Sequence, residues 1–269
     1  MESGRETVES QKVLTMLQAF IFDVDGTLAD TEHAHLAAFN HAFRQTGMDW
    51  HWDEALYTEL LNISGGKERM LHYWQTVQPG LKDIGGHGVT DTLDRLHTLK
   101  TAAYEAAVQD GAVHIRPGVL RLMDEAARAG IRLAIATTTS PVNVAALLGK
   151  AIGSDWRSHF VAIGDASTAP QKKPHPQVYL QMLQALALPA SACLAFEDSA
   201  NGLQAATAAG LATIVTPTAF TQHHDFSAAL RVLPDLGQVS LAQLREWHAQ
   251  ARRLSGQRTA ERVAQRHTA

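Results

Sequence analysis

One short apolar run stands near the start of the chain, and others recur along its second half. Ala19–Phe22, Ile131–Ala136, Phe160–Ile163, Cys193–Phe196 and Leu211–Val215 are each four to six residues long. Such runs, carrying aromatic and β-branched members between polar flanks, predict strands buried on both faces of a parallel sheet. Helical segments separate the later ones. These are Val119–Ala129 closed by Gly130, Pro141–Gly149 opened by its proline, Gln177–Leu186, and Ala200–Ala209 closed by Gly210. Strand and helix alternate, which implies parallel pairing through right-handed crossovers.

The segment from Asp30 to Gln109 has another rhythm. Asp30 and Thr31 offer an N-cap to a helix over Glu32–Gln45, which Gly47 ends. Its apolar positions are only mixed in period. Further helices are expected over Asp53–Leu61, Glu68–Val77 (stopped by Pro79-Gly80) and Thr90–Gln109, with Gly85-Gly86-His87-Gly88 as a loop and no convincing strand. A purely helical segment between the first strand and the strand–helix alternation predicts an inserted helical domain, 30–109, in an α/β core made of 17–29 and 110–240. Residues 1–16 read as a flexible leader, with Met16 an alternative start, and 241–269 as a polar tail, a solvated helix or disordered, with no core pattern after Trp247.

Composition narrows the function classes. With 269 residues the chain can bury a sizeable core, and 45% hydrophobic with 19% charged residues is ordinary for a globular enzyme. A net charge of −4 argues against a nucleic-acid partner. No apolar run approaches the roughly 18 residues that span a bilayer, so no membrane partner is expected. Cys193 is the single cysteine and excludes an intrachain disulfide; its apolar surroundings predict a buried thiol. The polar, acidic leader lacks the features of a secretory or transit peptide, which leaves the cytoplasm as the default location.

Candidate chemistry gathers where the strands end. Asp23 follows the first strand, and Asp25, two residues on, shares its face in extended chain, before a turn at Gly26. Open α/β sheets bind ligands at that edge. Like charges so close call for a cation, and Mg²⁺ suits such oxygen ligands; an ordinary Asp-Gly turn is the plainer alternative. Thr137, Lys173 and Glu197-Asp198 follow later strands. Taken singly, Thr137 could cap a loop, Lys173 could be a solvated charge and Glu197-Asp198-Ser199 an N-cap. Together they converge on one edge of one sheet. His223-His224 and the scattered histidines lack metal spacing and read as surface residues.

The string Asp23-x-Asp25-Gly26-Thr27-Leu28, the hydroxyl Thr137, Lys173-Pro174 and the acidic pair Glu197-Asp198, in this order, resemble the four motifs of the haloacid-dehalogenase-like (HAD) phosphohydrolases, over about Leu17–Pro217. The resemblance implies a Rossmann-like parallel-sheet core with an inserted helical cap, as in the β-phosphoglucomutase and phosphoglycolate-phosphatase branch. It implies Asp23 as nucleophile and Asp25 as general acid and base, with Thr137 and Lys173 on the phosphoryl oxygens. Mg²⁺ would be held by Asp23, Asp25 through its backbone carbonyl, Asp198 and Glu197. Asp25 favours phosphate over carbon–halogen chemistry.

The strings Asp25–Glu32, Ile63–Arg69, Ala136–Ser140 and Phe196–Leu203 look like those of CbbY-type phosphatases, a family associated with carbon fixation in the Calvin cycle and with hydrolysis of xylulose-1,5-bisphosphate. By that likeness Glu32, His35, Tyr57, Gly65, Gly66, Lys67, Arg69 and Lys100 would face the sugar or its distal phosphate, joined by Thr138, Ser140 and Asn201. Lys67 and Arg69 also have the plainer reading of an exposed helix start, and Glu32 and His35 of a helix surface. The expectation is a monomeric Mg²⁺-dependent sugar-phosphate phosphatase. A phosphomutase or phosphoglycolate phosphatase using the same residues, and a non-catalytic sugar-phosphate-binding protein, are the alternatives.

Overall fold

A computed structural model describes residues 16–80, 83–84 and 87–253; the expected leader up to residue 15 and the end of the tail lie outside the described residues. The first strand, β1 (Ala19–Phe22), leads through a tight turn to the two-residue β2 (Ala29–Asp30). Helices α1 (Glu32–Gln45), α2 (Glu54–Leu60) and α3 (Gly66–Val77) follow, then β3 (Asp83–Ile84), β4 (His87–Gly88) and the long α4 (Val89–Gln109). The chain returns through β5 (His114–Ile115) to α5 (Val119–Arg128), β6 (Arg132–Ala136), α6 (Pro141–Ile152) and β7 (Ala162–Gly164). It ends with α7 (Gln177–Leu186), β8 (Cys193–Glu197), α8 (Ala200–Ala208), β9 (Ala212–Val215), β10 (Arg231–Val232) and a helix over 241–253.

Among the described residues the main sheet has six strands, all parallel, in the order β10-β9-β8-β1-β6-β7. This is the parallel α/β sheet expected from the alternation, in the Rossmann-like form that the resemblance implies. β1 lies inside the sheet because its two faces are both apolar. Phe20 and Phe22 point to one side and pack with Leu122, Leu147 and Phe196. Ala19 and Ile21 point to the other, beside Ala134, Ala195 and Ala205. Small side chains on that second face let α7 and α8 lie close to the sheet. Each fully buried Phe contributes about 1.5–3 kcal/mol by leaving water.

The helices from α1 to α4 carry an apolar cluster of their own, in which Phe39, Phe43, Trp52, Tyr57 and Trp74 are fully buried. Phe220, from the segment after β9, joins it. The two chain crossings to this helical part run side by side, β2 against β5 in an antiparallel pair. α4 packs along α1 and also against α6 of the sheet layer.

The structure corrects several local expectations. The segment 30–109 is not free of strands: β2 crosses its start, and β3 pairs antiparallel with β4 where a loop over Gly85–Gly88 was expected. These ladders are two residues long and pair with partners outside their own run, so periodicity carries no trace of them. Thr31 occupies the N-cap of α1 without a side-chain cap bond. α6 runs past Gly149 to Ile152, since burial of Leu147 and Leu148 outweighs one glycine. The helix 241–253 does reach the core. Leu244 and His248 are buried four residues apart, so one face packs while the rest stays polar.

Candidate active site

The strand ends are held in register one residue beyond the strands themselves. Asp23 N–H donates to the Phe196 carbonyl at 3.0 Å, Thr137 N–H to Gly164 at 2.9 Å, and Thr216 N–H to Glu197 at 2.8 Å. Asp23, Thr137 and Glu197-Asp198 therefore leave three adjacent strands, β1, β6 and β8, at the same level. Lys173 arrives from the segment between β7 and α7.

Lys173 is the centre of this group. Its Nζ lies 2.6 Å from Asp23 Oδ1 and 2.6 Å from Glu197 Oε1. Tyr179, on α7, donates its hydroxyl to the same Glu197 oxygen. All four residues are buried. Burial opposes the Lys173 charge, yet the two carboxylates hold it above the ordinary lysine value. Burial pushes the Asp23 carboxyl up to about 7 against the pull of Lys173. Burial, with Asp23 and Glu197 alongside, also raises Asp198 well above the usual carboxylate range.

One lysine leaves these carboxylates short of positive charge. Asp23, Glu197 and Asp198 each bring an oxygen within 4.8 Å of the others, and Glu197 Oε2 is buried without a hydrogen-bond partner. Hard oxygen donors, excess negative charge and an unpartnered buried oxygen fit a divalent cation such as Mg²⁺. Gly26 makes the close approach possible: its φ is +77°, and a Cβ there would fall 2.3 Å from Asp198 Oδ2. The turn is closed by Gly26 N–H on the Ala29 carbonyl at 2.9 Å.

Asp25 faces α1. His35 Nε2 lies 2.9 Å from Asp25 Oδ1, and Lys100 Nζ lies 2.8 Å from His35 Nδ1. A lysine ammonium only donates, so Nδ1 accepts and Nε2 donates to Asp25. Burial would raise the Asp25 carboxyl, but His35 and Lys100 hold it well below the carboxylate range. Burial holds the Lys100 ammonium down to about 8.

A cavity of about 100 Å³ joins the two halves. Asp23, Asp25, Thr137, Thr138, Lys173, Asp198 and Asn201 line it from the sheet, and Glu32, His35, Gly65, Gly66, Arg69 and Lys100 from the helices. Arg69 is fixed by Leu60 and Ile63 carbonyls at 3.0 and 3.2 Å and stacks over Tyr57. Asn201 Nδ2 donates to Asn62 O at 2.9 Å, tying α8 to the helical part.

Three expected contacts lie elsewhere. Tyr57 does not line this cavity; it sits behind Glu32, donating to Glu32 Oε2 at 2.7 Å. Lys67 turns to Asp94, 2.6 Å away, and Ser140 caps α6 through Asn143 N–H; both line an adjoining cavity of about 320 Å³. Thr139, Ser64, Phe39 and Thr221 line the Asp23 cavity without having been singled out in the sequence, as Tyr179 was not at the carboxylates. Thr139 and Ser64 sit inside strings already noted. Tyr179, Phe39 and Thr221 carry no local signal.

Comparison with known proteins agrees with this geometry. The pattern of the haloacid dehalogenase-like hydrolases matches residues 17–210. The plasmid CbbY protein of Cupriavidus necator is 52% identical over 248 residues, covering 86% of this chain and 97% of that protein. CbbY of Rhodobacter capsulatus is 44% identical over 230 residues, covering 86% of this chain and 98% of that protein. The crystal structure of Rhodobacter sphaeroides CbbY in complex with phosphate superposes with a TM-score of 0.77 at 41% identity, over 84% of this chain and 98% of that one. A mutant of the same protein, in complex with xylulose-(1,5)bisphosphate, has the same score and coverage. The chain belongs to the haloacid dehalogenase-like hydrolases, as a phosphatase of the CbbY type.

Proposed function

We propose that this phosphatase hydrolyses a sugar bisphosphate, xylulose-1,5-bisphosphate, in a Mg²⁺-dependent reaction through an aspartyl-phosphate on Asp23. One observation carries the reading: the half-buried Arg69 and the buried Lys100 face the Asp23 carboxylate cluster across a single cavity. A substrate with a reacting phosphate at one end and further anionic groups toward the other matches that division. The relative crystallised with xylulose-1,5-bisphosphate supports the choice of sugar. Asp23, Asp198, Glu197 and the Asp25 carbonyl would hold Mg²⁺, which supplies neutralisation of the phosphoryl charge.

Asp23 Oδ attacks phosphorus and the bond to the sugar oxygen breaks. The leaving alkoxide takes its proton from Asp25, which receives it with the bound phosphate monoester, since His35 and Lys100 hold its carboxyl ionised in the free site. Asp25 is then ionised, the form His35 favours, and takes a proton from the water that attacks the aspartyl-phosphate. Thr137 and Lys173 hold the phosphoryl oxygens through both steps. The helical part acts as a cap that excludes bulk water.

The test is phosphate release from xylulose-1,5-bisphosphate, ribulose-1,5-bisphosphate, phosphoglycolate and β-glucose-1-phosphate, with Mg²⁺ and with EDTA. Selective, Mg²⁺-dependent release from xylulose-1,5-bisphosphate, abolished in Asp23→Asn, is expected. Glucose-6-phosphate formed from β-glucose-1-phosphate would replace the reading with a phosphomutase. No turnover of any ester would leave a binding protein.

A further inference from the structure

Arg116 is buried just after β5, on the second crossing between the helical part and the sheet. Its guanidinium spends its donors on backbone. Nη1 donates to the carbonyls of Gly26 and Thr216, with Thr216 Oγ1 at 3.2 Å. Nη2 donates to the carbonyls of Pro217 and Pro234, each at 3.0 Å. Nε faces Asp30 Oδ1 at 3.5 Å, on the first crossing. One planar fork thus ties together the turn after β1, the segment after β9 and the segment after β10, from the point where the two crossings meet. Lysine has three donors on one atom and cannot span the same set.

Two of these tethers end beside Asp198. Gly26, held by Nη1, is the residue whose backbone lies so close that a Cβ would meet Asp198 Oδ2 at 2.3 Å. The Thr216-Pro217 segment continues to Thr221, whose Oγ1 donates to the same oxygen at 3.3 Å. Both walls of the Asp198 carboxylate are therefore braced by one side chain. Arg116 does not line the Asp23 cavity, so it acts through these walls and not on substrate.

We propose that Arg116 is a positioning residue for the metal site, setting the gap in which Asp198 and the Asp25-Gly26 backbone meet Mg²⁺. The inference rests on the Mg²⁺ reading above. Outer partners of metal ligands are worth about 10- to 100-fold in metal affinity when removed. Arg116 has that place here, with backbone in the position of the ligand it steadies.

The experiment is calorimetric titration of the metal-free protein with MgCl₂, beside steady-state kinetics at saturating Mg²⁺, for wild type, R116K, R116Q, R116M and D30N. R116K, R116Q and R116M are expected to bind Mg²⁺ about tenfold or more weakly. At saturating Mg²⁺ their KM for the phosphate ester stays at the wild-type value, because Arg69 and Lys100 are untouched. D30N, which loses only the contact on the exposed side, keeps wild-type Mg²⁺ affinity. Unchanged Mg²⁺ affinity in folded Arg116 variants overturns the inference and leaves Arg116 a purely structural tie. Failure of all three variants to fold, judged by circular dichroism, overturns it as well, since Arg116 would then serve the fold first. No Mg²⁺ binding by wild type would instead overturn the metal reading itself.

Discussion

Lys173 shows how little separates a functional charge from a destabilising one. It is buried between two carboxylates at 2.6 Å each, and its positive charge is what allows Asp23 and Glu197 to share that space. Removing one partner of a buried ion pair costs about 3–5 kcal/mol, because the remaining charge is left without compensation. Lys173→Met is therefore expected to lower the urea midpoint in Mg²⁺-free buffer and to abolish phosphate release. The sign of its pH dependence follows. Without Lys173 a carboxylate in this cluster titrates higher in the folded protein than in the unfolded chain, so its folded form gains from protonation. The deficit against wild type should shrink as the buffer is taken from about pH 8 to about pH 6. A deficit that stays constant over that range would remove the uncompensated carboxylate as its cause.

At the scale of elements, α8 begins under the acidic pair. Ser199 caps it, its side chain accepting from Gly202 N–H at 3.2 Å. Gly202 then passes so close to β8 that a Cβ would fall 1.8 Å from Glu197 Oε2. Helix propensity alone predicts that Gly202→Ala stabilises α8 by about 1 kcal/mol. The contact predicts the opposite. The methyl must displace the Glu197 carboxylate, which Lys173 and Tyr179 hold from the other side. Overpacking of this kind costs about 1–3 kcal/mol. Thermal unfolding should show a lower midpoint for Gly202→Ala, together with weaker Mg²⁺ binding; a raised midpoint would mean the carboxylate has room to move.

Across the whole molecule, two histidines, the buried His248 and the half-buried His97, are expected to contribute to the loss of stability in acid. His248, on the helix 241–253, is pushed down to about 4 by burial, with Arg252 beside it. His97, at the edge of the adjoining cavity, is likewise pushed down to about 4 by burial, with Lys100 next. Both are neutral in the folded protein at neutral pH, whereas the unfolded chain takes up their protons near the ordinary histidine value of about 6.5. Their contribution is therefore complete above that value and is lost as pH falls through the folded value near 4. Urea midpoints should fall between about pH 6.5 and about pH 4, and His248→Gln should flatten part of that slope. An equal slope in the variant would assign the acid sensitivity to other groups. That helix also shows why the tail was misread. Its polar composition is real, but Leu241, Leu244, Trp247 and His248 face the core at helical spacing, and only the last of them lies beyond Trp247, where no core pattern was expected.

What was legible in the sequence is what local pattern can carry. Strand positions followed from short apolar runs, because burial on both faces of a sheet demands continuous hydrophobicity. Asp23, Asp25, Thr137, Lys173, Glu197 and Asp198 could be singled out because each follows such a run or the segment beyond it, and a parallel sheet delivers every strand end to one edge. The fold class and the acidic centre were thus determined by the chain order itself. Tertiary structure alone decided the rest. It placed Lys173 between two carboxylates, aligned Lys100 and His35 toward Asp25, turned Lys67 to Asp94 and set Tyr57 behind Glu32. It also gave Arg116 its carbonyls on three separate segments, about a hundred residues away along the chain for most of them. The physical reason is common to all of these. A side chain's partner across the fold depends on rotamer, distance and burial, and none of these leaves a period or a spacing in the sequence.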